Sequence, residues 1–182
     1  MWTKNKIRPL HDSEIVVYHS FFTPEECREI VAELSDELEQ SGRQNIFYGK
    51  QTDRPNSSEL NAHGHKPLPW TNTLLDIKQF IEDRLDLEFD TATLTKNYRG
   101  EQHFETVAAL LSFGGSRTFR LGWKDLSKAA VTRTLHEGSL LLVKGEVQAD
   151  YSYRLSMPIE HPPLINLVFG RICSAHCRIL PR

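Results

Sequence analysis

The fold is indicated most directly by the stretch Leu111-Ser112-Phe113-Gly114-Gly115-Ser116-Arg117-Thr118-Phe119-Arg120-Leu121. Two short runs rich in aliphatic and aromatic residues flank a Gly-Gly-Ser segment, which is typical of two β-strands joined by a tight connection. Similar runs, separated by glycines, prolines and charged residues, occur in the second half of the chain at residues 89–98, 106–113, 117–121, 139–143, 151–155 and 164–169. A β-rich core is therefore predicted over residues 89–182.

Two amphipathic helices are predicted in the N-terminal part, residues 1–88. Thr23-Pro24-Glu25-Glu26 offers an N-cap residue, a proline at the first helical position and a glutamate that closes a capping box. Apolar residues follow at helical spacing until Ser41-Gly42, namely Cys27, Ile30, Val31, Leu34 and Leu38. The second helix begins at Trp70-Thr71 and places four apolar residues on one face, Leu74, Ile77, Ile81 and Leu85. Short strands are predicted at 15–18 and 45–48.

Helices followed by many short strands predict one α+β domain over residues 1–182, with both helices packed on one sheet of a sandwich or jelly roll. The composition is ordinary for a globular protein, with 39% apolar and 25% charged residues. A net charge of -2 gives no global argument for nucleic acid or an anionic membrane, so such a partner would need a local basic patch. Three cysteines, an odd number, favour a reducing intracellular compartment.

Taken together, these runs resemble the AlkB family of 2-oxoglutarate/iron(II) dioxygenases, which oxidatively demethylate alkylated nucleic acids or proteins. The similarity extends from residues 111–121 through 136–145 and 148–158 to Leu164-Ile165-Asn166-Leu167-Val168-Phe169, and back to Asn97-Tyr98-Arg99-Gly100. It is looser over 21–38 and 67–85. The resemblance implies a double-stranded β-helix, which is a form of jelly roll, and a pocket for iron(II) and 2-oxoglutarate.

Such an enzyme holds iron with two histidines and one carboxylate and leaves positions open for co-substrate and oxygen. The resemblance places the first histidine and the carboxylate some way after Gly100, but here most of that stretch is missing and His103-Phe104-Glu105 remains. His103 and Glu105 share one face of an extended segment, so they are candidate iron ligands. The alternative is a histidine and a glutamate in a shortened exposed turn.

The remaining positions of the family pattern are largely substituted. Tyr153 stands where the resemblance requires the second histidine, and a phenol is a poor iron(II) ligand. The final strand has Leu164 and Gly170 where the family has the two arginines that bind 2-oxoglutarate. Arg171 could reach the pocket only through a bulge at Gly170. Tyr98 matches the tyrosine of an Asn-x-Tyr motif, so Tyr98 and Arg171 are the predicted co-substrate residues.

Other residues could contact a substrate or a metal. Tyr48 could stack on a base, and Arg99 and Arg117 could contact nucleic acid, although a mixed-charge surface is the alternative. A zinc site is conceivable if the C-terminal cysteines and histidine pack beside the His63-x-His65 loop; its ligands would be Cys173, His176, Cys177, His63 and His65. The alternative interpretation is that these five residues are ordinary buried or surface side chains.

Three functions follow from these observations. The leading hypothesis is an AlkB-like pseudoenzyme that needs no cofactor and acts as a binding or regulatory module on nucleic acid or beside a protein partner, away from membranes. The second is a working dioxygenase that uses iron(II) and 2-oxoglutarate with an altered triad containing His103 and Glu105. The third is a zinc-stabilised β-sandwich interaction domain.

Overall fold

In a computed structural model, the described residues are 15–49, 67–96, 101–102, 107–123, 129–144, 151–155 and 164–171. They form two helices and ten strands. In chain order the elements are β1 (Ile15–Tyr18), α1 (Pro24–Ser41), β2 (Asn45–Gly49), α2 (Asn72–Leu85), β3 (Thr91–Lys96), β4 (Glu101–Gln102), β5 (Val107–Phe113), β6 (Arg117–Trp123), β7 (Ala129–Leu135), β8 (Leu140–Lys144), β9 (Tyr151–Leu155) and β10 (Ile165–Gly170).

The strands are arranged in two antiparallel sheets. The larger sheet has six strands in the order β1-β8-β5-β10-β3-β2, and the smaller has four in the order β4-β9-β6-β7. β5 and β6 belong to different sheets, so the Gly114-Gly115-Ser116 connection crosses from one sheet to the other. Among the described elements, no helix is long and apolar enough to cross a lipid bilayer.

Both faces of the six-stranded sheet are buried. Successive side chains of a strand point to opposite faces, so β5 presents Leu111 and Phe113 on one side and Leu110 on the other. The first face packs against α1 and α2 through residues that include Ile30, Leu34, Leu74, Ile77 and Ile81. The second face packs against the four-stranded sheet through Phe119, Leu121, Leu135 and Leu155. The layers are therefore helices, six-stranded sheet and four-stranded sheet.

The helices begin as the sequence predicts. Thr23 Oγ1 accepts a hydrogen bond from the Glu26 backbone N–H, and the Thr23 backbone N–H donates to the Glu26 carboxylate at 2.7 Å. These two bonds form the predicted capping box. Thr71 caps α2 by accepting from the Leu74 N–H. The predicted apolar face of each helix is buried, with Val31 only partly so.

The predicted α+β class is confirmed, and each of the six predicted runs contains a strand with ends shifted by at most a few residues. The short strands predicted at 15–18 and 45–48 are also present, as β1 and β2. Two strands, the two-residue β4 and the longer β7, were not predicted. The sequence of β7, AAVTRTL, lacks a strong apolar alternation, and its pairing with β6 supplies the backbone hydrogen bonds that define it.

A close backbone contact joins α1 to the turn before β8. Gly138 has φ 71°, and a Cβ added there would lie 2.7 Å from the Cys27 Sγ and 2.7 Å from the Phe22 carbonyl oxygen. The Phe22 N–H donates to the Gly138 carbonyl at 3.1 Å. Only glycine fits, because both the left-handed backbone and the close approach exclude a side chain.

We expect Gly138→Ala to destabilise the fold much more than Gly42→Ala. Both glycines have positive φ, 71° and 62°, so both substitutions incur a left-handed penalty of about 1–2 kcal/mol. Only Gly138 is also crowded, since nothing lies within 4 Å of a Cβ at Gly42, and overpacking adds roughly 1–3 kcal/mol. Urea unfolding of the two variants measures the difference. Equal losses would contradict the close contact of Gly138 with Cys27 and Phe22.

Cys27 should make the stability of the fold depend on pH. Burial raises the pKa of its thiol from 9.0 to about 11, with smaller contributions from Glu137 and Glu26. Between these two values the unfolded chain releases a proton that the folded chain keeps, so stability falls as pH rises. Relative to Cys27→Ala, the free energy of unfolding of the wild type should fall by up to about 1.4 kcal/mol per pH unit from pH 9 to 11. A difference that stays constant over this range would refute the burial effect.

Candidate functional site

A row of polar side chains interrupts the apolar interior between the two sheets. Asn166 of β10 is the register partner of Ser112 on β5, and it lies on the same face of β10 as Val168, which packs in the inter-sheet interior. Ser139 immediately precedes β8, whose Leu140 pairs with Leu111, so Ser139 continues the row beyond Ser112. All three are buried, with exposures of 3%, 0% and 0%. Three neighbouring strands thus place polar groups at one end of the interior.

Arg117 enters the same interior from the opposite sheet. It lies on the face of β6 that also carries Phe119 and Leu121, both part of the inter-sheet core. Because Arg117 is the first residue of β6 after the crossing from β5, it lies at the end of the interior where Ser112 lies. The side chain is 2% exposed, and it is the largest fully buried side chain in the described part of the chain.

The polar groups at this end lack partners. Among the described residues, Nε, Nη1 and Nη2 of Arg117 donate no hydrogen bond. The Oγ atoms of Ser112 and Ser139 and the side-chain amide of Asn166 also make none. Burial lowers the pKa of Arg117 to about 10, so the guanidinium is still charged at neutral pH. A buried charge without a partner is strongly unfavourable, which makes this end of the interior a candidate site for an anion.

Removing the buried charge should stabilise the protein in buffer without organic anions. Arg117→Met keeps much of the side-chain volume and removes an uncompensated guanidinium. Replacing a buried ion pair by apolar residues can gain about 1–4 kcal/mol, and we expect a gain of similar size for this unpaired charge. Urea unfolding at pH 7 gives the difference, with Arg120→Met as the control, because Arg120 is exposed on the other face of β6. A loss of stability in Arg117→Met would mean that the guanidinium is well paired in the folded protein.

Tyr48, a predicted substrate contact, is part of the helix-side core. Its ring is 1% exposed, and its hydroxyl donates to Glu37 Oε1 at 2.6 Å. Burial and this bond raise the pKa of Tyr48 well above its ordinary value. Glu37 also accepts from the Thr71 hydroxyl at 3.4 Å, so one carboxylate of α1 joins β2 to the start of α2. The position of Tyr48 therefore gives no support to base stacking and indicates a structural role.

The predicted co-substrate residue Arg171 lies at the surface. Gly170 pairs with Thr91 on one side and Ala108 on the other, and neither ladder shifts register along β10, so no bulge occurs at Gly170. Arg171 follows the strand, is exposed, and places its Nη2 3.5 Å from Glu88 Oε2. Its assignment to 2-oxoglutarate stays a prediction without support from its position.

Most of the other predicted site residues lie outside the described ranges. They are Tyr98, Arg99, His103 and Glu105, together with the candidate zinc ligands His63, His65, Cys173, His176 and Cys177. Tyr153 is described in its backbone, as a β9 residue that pairs with Gln102 and Leu121. Within the described ranges, no three His, Cys, Asp or Glu side chains are grouped so that they could hold a metal ion.

The sequence predicted Arg117 as a contact to nucleic acid, whereas the structure buries its side chain in the interior. The alternation Arg117-x-Phe119-x-Leu121 already suggested this, because an arginine in phase with two apolar residues points to the buried face. The serines and Asn166 were not predicted as site residues. No local signal distinguishes them, since their proximity depends on how three distant strands pair.

Comparison with known proteins supports the fold. No protein-family model matches this sequence, and no curated protein matches it. Among solved structures, the chain is similar to OsALKBH1, with a TM-score of 0.61 and 16% sequence identity over 92% of this chain and 100% of that chain. At this identity the likeness concerns the fold alone. The protein therefore has an AlkB-like fold of two antiparallel sheets with two helices.

Proposed function

We propose that this chain is a non-catalytic protein with an AlkB-like, double-stranded β-helix fold that acts as a binding or regulatory module. The observation that carries the proposal is the inward face of β10. This face presents Asn166 and Val168, and by the same alternation Gly170, while Leu164 precedes the strand in phase with them. Leu164 and Gly170 stand where the resemblance requires arginines. Neither residue can pair with a carboxylate, so this face does not fit 2-oxoglutarate held in the family's manner.

Two further features support a loss of activity. The β10 ladder is regular, which leaves Arg171 exposed beside Glu88 and unable to replace an arginine at position 170. Tyr153 offers a phenol where the resemblance requires the second iron-binding histidine. Iron(II), if it were bound, would activate oxygen beside 2-oxoglutarate, and only His103 and Glu105 remain as proposed protein ligands for it.

The partner of such a module is proposed to be nucleic acid or another protein inside the cell. The support for nucleic acid comes from the family resemblance. The two arginines predicted as contacts add no structural support, because Arg117 is buried in the fold and Arg99 lies outside the described residues. An active dioxygenase subunit is the protein partner that the shared fold favours. The intracellular location is proposed on the odd number of cysteines.

The proposed loss of activity can be tested under anaerobic conditions. We expect iron(II) and 2-oxoglutarate together to give no visible charge-transfer band with the purified protein. After oxygen is admitted we expect no succinate above the protein-free background. An active 2-oxoglutarate dioxygenase, assayed in parallel, is the positive control. A stoichiometric band or catalytic succinate formation would overturn the proposal.

A working dioxygenase is the second candidate, and the buried Arg117 is the observation that favours it. A guanidinium inside the inter-sheet interior could hold the distal carboxylate of 2-oxoglutarate from β6, in place of the arginines absent from β10. This candidate requires iron bound through His103 and Glu105. If succinate forms, its loss in both His103→Ala and Glu105→Ala would assign the activity to this altered triad.

A further inference from the structure

We propose that the end of the inter-sheet interior lined by Arg117, Ser112, Ser139 and Asn166 binds a small organic carboxylate without any metal. This interior site deepens the binding role proposed above and rests on it. It differs from the pocket that the family resemblance implies, because its cation comes from β6 of the four-stranded sheet.

The position of the interior site follows from three structural features. Ser112 and Arg117 lie at the two ends of the connection that crosses between the sheets. Asn166 is paired with Ser112 across the β5–β10 ladder. Leu164, just before β10, lies beside this connection, because a Cβ on Gly115 would be 3.7 Å from its Cδ2. The end of β5, the start of β6 and the start of β10 therefore meet at one place.

The unpaired positive charge of Arg117 favours the binding of an anion at this place. Arg117 is 2% exposed, and its three guanidinium nitrogens donate no hydrogen bond to any described residue. No carboxylate of the described residues lies on the inward faces of the strands, whose apolar core includes Phe119, Leu121 and Leu135, the last of which is the register partner of Arg117. A bound carboxylate would neutralise the charge and accept two parallel N–H bonds from the planar fork.

The surrounding side chains indicate what kind of anion fits. The inter-sheet core beside Arg117 is aliphatic and aromatic, which favours an organic molecule over a fully hydrated inorganic ion. The hydroxyls of Ser112 and Ser139 and the amide of Asn166 can donate to and accept from a second polar group of the ligand. A short monocarboxylate provides an anionic head. A dicarboxylate provides the same head and a second polar group as its tail.

Thermal unfolding and calorimetric titration test this proposal on the full chain in EDTA. The probes are acetate, succinate and 2-oxoglutarate, with sodium chloride at matched ionic strength and with phosphate as the inorganic anion. We expect at least one carboxylate to raise the Tm saturably, and to shift the Nε–H resonance of Arg117 in ¹⁵N NMR spectra. Phosphate should have no saturable effect.

Three variants separate the interior site from general effects of the substitutions. Arg117→Met should abolish the carboxylate response while folding at least as stably as the wild type. Arg117→Lys should weaken the affinity by about tenfold or more, because lysine keeps the charge and loses the bidentate fork. Arg120→Met, on the exposed face of the same strand, should respond like the wild type.

The proposal is overturned if no carboxylate binds the wild type saturably, if Arg117→Met binds as well as the wild type, or if binding requires iron(II). Tighter binding of phosphate than of every carboxylate would also overturn it. Failure of the proposed function has a different signature, namely catalytic succinate formation in the presence of iron(II) and oxygen. The two failures are therefore measured independently.

Discussion

The structure depends on the burial of both faces of the six-stranded sheet. Strand alternation sends Leu111 of β5 toward the helices and Leu110 toward the second sheet, and β8 and β10 do the same with their own residues. Each face would expose a continuous apolar surface if its covering layer were absent. The capped helices and the four-stranded sheet are thus both required, and the central strands β8, β5 and β10 hold the three layers together.

Against this apolar background, the polar end of the inter-sheet interior holds most of the buried polar atoms that lack a hydrogen bond among the described residues, and this concentration needs an explanation. Natural interiors pair nearly all of their buried polar groups, and an isolated charge is the most unfavourable case. Four neighbouring residues depart from this rule together, at the place where the chain crosses between sheets. By contrast, the polar group of Tyr48 in the helix-side core is paired with Glu37. Polar groups left unpaired in one place are more readily explained by ligand binding than by packing.

The AlkB-like fold concerns the architecture of the chain, whereas the substitutions at positions where the resemblance requires functional residues concern its catalytic activity. Fold similarity at 16% identity reflects the arrangement of sheets and helices, which apolar patterning can maintain through extensive substitution. Catalysis depends on a few side chains, and at positions 153, 164 and 170 this chain carries Tyr, Leu and Gly. A buried arginine without a partner among the described residues, in an interior that carries Leu164 and Gly170 where the resemblance requires arginines, is consistent with the proposed binding role.

The sequence by itself determined the two helices, their caps and buried faces, and most of the strands, because capping and periodicity act over a few neighbouring residues. It also determined that Leu164 and Gly170 stand where the resemblance requires two arginines. Only the tertiary structure decided that β7 pairs with β6, that Arg117 is buried, and that it shares an interior with Ser112, Ser139 and Asn166. Alternation fixes which residues share a face, but the pairing of distant strands decides which face is covered and what it meets.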